Sequence, residues 1–174
     1  MEENLRAVAI GEMVVSNDPQ DVLVSYGLGS CVVVCLYDAG ARVGGMLHAL
    51  LPHAHDPARA ARTPTRFVEQ GVPLLLDAVL GHGARRLRLQ ASLCGGARII
   101  QGAAFDGQLN IGRHNVRTAT AVLETLRIPI QARDTGGTHG RTIRLYLATG
   151  KVVVGTMRGE KALPQATRDT LDTS

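Results

Sequence analysis

Cys31 closes a glycine-punctuated turn, Gly27-Leu28-Gly29-Ser30, and opens the apolar run Val32 to Tyr37. His48 lies in a second apolar run, Val43 to Leu51, and Ser25 sits on the stretch that leads into the turn. A thiol is nucleophilic as the thiolate, and an adjacent imidazole can generate one near neutral pH. A hydroxyl bonded to the other ring nitrogen would orient that imidazole, giving a nucleophile, a base and an orienting group. The glycines have a separate use, since free amides near Gly29 and Ser30 can face a developing oxyanion. On pattern alone, a buried cysteine and a satisfied core histidine are the plainer reading.

The pair needs strands to bring it together. Val32, Val33 and Val34 favour extended chain, because β-branched side chains pack well on a pleated surface. Ala39-Gly40 between the two runs predicts a tight hairpin, with Gly supplying positive φ. Centred there, the turn sets Asp38 opposite Ala41 and Cys31 opposite His48, with Cβ atoms roughly 4.5–5.5 Å apart. A one-residue slip, for which Gly44-Gly45 offers a bulge, would send the two side chains to opposite faces.

The chain has 174 residues, 45% hydrophobic and 20% charged, which suits one soluble domain. We read that domain as residues 1–160, followed by a polar tail over 161–174. No apolar run approaches the roughly 18 residues of a membrane span. The N-terminus is acidic where a signal peptide is basic, so the expected location is the cytoplasm. Three cysteines, Cys31, Cys35 and Cys94, make no disulfide framework. The net charge of +4 comes almost wholly from scattered arginines, a solvated surface or one facing an acidic protein. With no Trp, three Tyr and two Phe, base stacking on nucleic acid is not expected.

Further elements follow from periodicity. Strands are expected at Ala7–Met13 and Asp21–Tyr26, then the hairpin, ended by Pro52. Residues 52–64 read as a polar loop. Its His53 and His55, with His48, Cys31 and Cys35, are zinc-ligand types without the CxxC or HExxH spacing of a specific site. Thr65–Leu80 is helical by Val68, Val72, Leu75 and Val79, with Gly71 and Pro73 suggesting a kink. Arg86–Cys94 alternates, Leu87, Leu89, Ala91 and Leu93 facing one way. Asn110–Leu126 is a second amphipathic helix. Strands follow at 128–133, 142–147 and 152–156, then a frayed tail from Met157. About eight strands and two main helices in this order predict an α+β architecture with mixed or antiparallel sheets.

Six segments carry a family resemblance: GLGSCVVVCLYD with GGMLHALLP, then CGGARII, NIGRHNV, DTGGTHGR and TGKVVV. In this order, across residues 5–156, the chain resembles the chemoreceptor glutamine deamidase family, CheD. The resemblance implies hydrolysis of glutamine side-chain amides to glutamate in the cytoplasmic region of methyl-accepting chemotaxis receptors. It places the nucleophile on Cys31 and the general base on His48, and implies no metal or organic cofactor. The family's third position, a threonine, falls on Ser25, which keeps the hydroxyl and loses the methyl that restricts its rotamer. It implies a layered sandwich of β-sheets flanked by two main helices, similar to bacterial toxin glutamine deamidases. A CheC-type phosphatase is the implied regulatory partner. A non-catalytic adaptor and an esterase acting on receptor glutamyl methyl esters are the competing functions. Asn110, Gly112, Asn115, Gly136, Gly137, Gly140 and Arg141 match family segments without an evident chemical role. Of these, the three glycines at 136, 137 and 140 suit turns, and Arg141 suits a structural pair.

Overall fold

The computed structural model describes residues 2–99 and 110–165. Its strands are β1 (Asn4–Ala7), β2 (Met13–Ser16), β3 (Asp21–Leu28), β4 (Val32–Asp38), β5 (Val43–Ala49), β6 (Leu89–Gly95), β7 (Ile130–Thr135), β8 (Arg141–Tyr146), β9 (Val152–Thr156) and β10 (Gly159–Ala162). The α-helices are α1 (Pro57–Arg62), α2 (Val68–Gly81) and α3 (Ile111–Thr125). Two five-stranded sheets form, in the orders β1-β3-β8-β9-β10 and β2-β5-β4-β6-β7. Both are mixed, antiparallel except for the pairs β1/β3 and β6/β7. The α+β expectation holds.

Strand β4 shows why the layers stack as they do. Val33 and Cys35 join Leu23, Ile143 and Leu145 of the other sheet in one core. Val32, Val34 and Leu36 point the opposite way and pack with Val68 and Leu75 of α2 and Leu123 of α3. The second sheet is therefore the middle layer, and its central strands β4 and β5, covered on both faces, read as nearly continuous apolar runs. Gly45 permits the close fit of α2, because a Cβ there would come within 2.8 Å of Leu75. No helix among the described residues is long and apolar enough to cross a membrane.

Several expectations are corrected. The stretch expected as one strand at Ala7–Met13 is the connection between two strands, β1 and β2, that lie in different sheets, and only its end residues belong to them. Gly11, at φ +80°, lies between them and turns the chain. The polar loop contains α1, capped by the Asp56 carboxylate, which accepts from the Ala58 amide, and started by Pro57. Arg86–Arg88 forms a 3-10 turn, so Leu87 is 98% exposed instead of facing inward with Leu89. The segment read as frayed from Met157 returns as β10, paired with β9, and Leu163 beyond it is buried. Residues 166–174 of the expected tail lie outside the described residues.

Candidate active site

The hairpin turn is four residues long, Ala39 to Arg42, not two. Asp38 is the reason. Its buried carboxylate accepts from the amides of Gly40 and Ala41, from the Arg85 amide, and from Arg88 through both Nε and Nη2. Arg42 completes the turn at φ 53°. Val33, not Cys31, therefore stands opposite His48. The register runs unbroken through Gly44 and Gly45, without a bulge. Because the shift is two residues, face parity survives. Cys31 lies just before β4 and joins Val33, Cys35 and Met46 in the core between the sheets.

His48 is 1% exposed on β5. Its Nδ1 lies 3.3 Å from Ser25 Oγ and 3.3 Å from the carbonyl oxygen of Val8. Ser25 Oγ in turn donates to that same carbonyl at 2.9 Å. A carbonyl can only accept, and the hydroxyl has spent its proton on it, so the hydrogen between ring and oxygens belongs to Nδ1. That tautomer leaves a lone pair on Nε2, which is buried and has no hydrogen-bond partner among the described residues. Burial pulls the His48 pKa below the ordinary imidazole value, against the opposing pull of the Val8 carbonyl. Burial likewise pushes the Cys31 thiol up, offset in part by its own backbone amide. Near neutral pH the two groups are thus a neutral thiol and a neutral base, not an ion pair.

The loop before β4 has all three of its carbonyls tied back. The Ala97 amide donates to Gly29 O at 2.9 Å, Asn115 Nδ2 to Ser30 O at 3.0 Å, and the Gly96 amide to Cys31 O at 2.8 Å. Among the described residues, the amides of Gly29, Ser30 and Cys31 donate to no other residue. Such an arrangement can hold an anion. Gly95, at φ +104°, is required here, since a Cβ would overlap the Cys31 carbonyl oxygen.

Sequence reading missed Val8, Ala97 and Asn115. Asn115 and Ala97 did sit in marked segments, NIGRHNV and CGGARII, but Val8 acts only through its backbone. Arg141 pairs structurally, with Nε on Asp134 Oδ1 at 2.6 Å and Nη2 on Gly136 O at 2.7 Å. His53 and His55 meet edge to face, centroids 5.1 Å apart. Among the described residues no three His, Cys, Asp or Glu side chains gather as a metal site would need. A cavity of about 290 Å³ lies between the sheets beyond Cys35, lined by Tyr37, Gln90, Ser92 and Gln131, and holds none of the three candidate catalytic side chains.

Residues 50–156 match the family described as CheD chemotactic sensory transduction. The chain belongs to the CheD family. A relative in Symbiobacterium thermophilum, named a probable chemoreceptor glutamine deamidase CheD, is 41% identical over 93% of this chain and 99% of its own length. One of the same name in Pyrococcus abyssi is 47% identical over 83% of this chain and 87% of its own. The family match begins after Ser25, Cys31 and His48. The alignment with the Symbiobacterium relative, covering 93% of the chain, is too long to omit them.

Proposed function

We propose that this CheD-family chain hydrolyses the side-chain amide of glutamines in the cytoplasmic region of methyl-accepting chemotaxis receptors, with Cys31 as nucleophile and His48 as general base. One observation carries the reading: His48 Nδ1 lies within hydrogen-bond distance of Ser25 Oγ and the Val8 carbonyl, while Nε2, without a hydrogen-bond partner among the described residues, lies on the sheet face that Cys31 shares.

Nε2 takes the thiol proton as sulfur attacks the carboxamide carbon. A C–S bond forms and the oxygen becomes anionic, facing the amides of the Gly29–Cys31 loop. His48 then gives its proton to the nitrogen, the C–N bond breaks and ammonia leaves a thioester. Water, deprotonated by the same Nε2, attacks the thioester. The C–S bond breaks, the thiol regains its proton, and glutamate remains. Acid–base help of this kind contributes about 10²–10⁴-fold, and one oxyanion donor about 10²–10³-fold.

The test is mass spectrometry of a purified receptor cytoplasmic fragment after incubation with the protein. The expected result is the roughly one-dalton gain of Gln→Glu, reduced at least about 10³-fold by Cys31→Ala. Gain in both samples, or in neither, overturns the reading, and neither would favour an adaptor. A CheC-type phosphatase is the second proposed partner, on the family resemblance, and co-elution with the purified chain tests it.

A further inference from the structure

Asn115 is fully buried on α3, yet its side chain is only half satisfied. Nδ2 donates to the carbonyls of Ser30 and Leu50, each at 3.0 Å, while Oδ1 has no partner among the described residues. Two carbonyl acceptors consume both hydrogens of the nitrogen, which settles how the carboxamide is turned. A buried orphan acceptor is destabilising, and packing alone gives no reason to keep one.

The two carbonyls indicate what offsets that cost. Ser30 O belongs to the Ser30–Cys31 peptide, and in a trans peptide the N–H points opposite to the C=O. A bond that fixes Ser30 O therefore aims the Cys31 amide as well. Leu50 lies two residues beyond His48, so one side chain clamps the nucleophile's loop to the strand of the base. Close approach makes this possible: a Cβ on Gly112 would come within 2.5 Å of Gly96 O, so glycine lets the start of α3 rest on the end of β6. Asn110 caps the helix there, accepting from the Arg113 amide.

We propose that Asn115 is a positioning residue for the deamidation, holding the Cys31 amide, through Ser30 O and Leu50 O, where negative charge develops on the glutamine oxygen. This rests on the roles given to Cys31 and His48 above. Asn115→Ala and Asn115→Asp, each confirmed folded by a thermal melt, should lower kcat about 10–100-fold, part of the effect of losing an oxyanion donor outright. KM should stay within about threefold, because the uncharged ground state gains little from that amide. The pH profile of Cys31 alkylation should move upward in both variants.

A purely structural side chain would lower the melting temperature and leave kcat and that profile unchanged, and this result overturns the proposal. Activity that survives Cys31→Ala would instead defeat the underlying reading. A glutamine-derived peptide aldehyde supplies a measurement independent of variant folding, since the Cys31 S–H adds across its C=O to give a thiohemiacetal. A crystal structure with the adduct oxygen on the Cys31 amide, and Asn115 still on Ser30 O, supports the proposal. An adduct oxygen bound elsewhere overturns it.

Discussion

Ser25 Oγ and His48 Nδ1 lie 3.3 Å apart across the interface between the two sheets, one on β3 and the other on β5. The hydroxyl is not the only group that holds the ring, because Val8 O accepts from the same nitrogen at the same distance. Ser25→Ala should therefore keep the Nδ1–H tautomer and lower deamidation by about tenfold, well short of the roughly 10²–10⁴-fold expected for His48→Ala. Ser25→Thr, the residue that the family resemblance implies at this position, should stay near the parent. Steady-state rates on a receptor fragment check the ranking. A Ser25→Ala variant as inactive as His48→Ala would mean the carbonyl does not hold the ring.

The acid limb of the pH profile should be set by His48. Its pKa is lowered by burial, so the ring stays neutral, and able to accept a proton, at pH values where an exposed imidazole is already half charged. As pH falls through the depressed value, Nε2 becomes occupied and the rate drops. The half-maximal point of kcat/KM should lie below about 6.5, the ordinary imidazole value. A midpoint above that value would mean that another group controls this limb.

Asp38 predicts a pH dependence of stability. Burial raises its pKa, but hydrogen bonds from Arg88 and from the Arg85 and Ala41 amides outweigh burial and leave it lowered overall. A carboxyl depressed by folding stabilises the protein above the ordinary carboxylate range, and that contribution is lost as pH falls through the folded value. Asp38→Asn should lower the melting temperature by roughly 5–10 °C at pH 7. The gap should begin to narrow near pH 4, where the unfolded carboxyl takes up its proton, and close only as pH falls through the lower folded value. Melts from pH 3 to 7 measure it, and a gap constant across that range would show that the charge does not matter.

How much of this the sequence disclosed depended on the range of the interaction. Residues 32–34 marked a strand because β-branching acts locally, and Cys31 and His48 shared a face because a two-residue register error preserves parity. The error itself arose because Ala39-Gly40 resembles a short turn, whereas the real turn is fastened by Arg88, fifty residues from Asp38. Strand β10 was missed because Gly159–Ala162 is an exposed edge strand with no apolar period. Val8 left no signal at all: its carbonyl holds the ring, and any residue type has a carbonyl.

The three cysteines offer a last, direct comparison, since all sit in the core between the sheets. Cys31 is 6% exposed at the end of a loop, while Cys35 and Cys94 are 2% and 0% exposed within strands. Burial lifts all three thiols, Cys94 to about 12, helped by the nearby Asp134, and Cys35 well above its ordinary value, with Cys94 adding to it. Cys31 is the least buried of the three and shares its face with His48. Iodoacetamide at pH 8 should modify Cys31 at least about tenfold faster than the others in the folded protein. In denaturant, peptide mapping should find all three alike. Within the folded state, His48→Ala should slow Cys31 and leave Cys35 and Cys94 as slow as before; equal rates at the three sites would mean that neither exposure nor His48 activates Cys31.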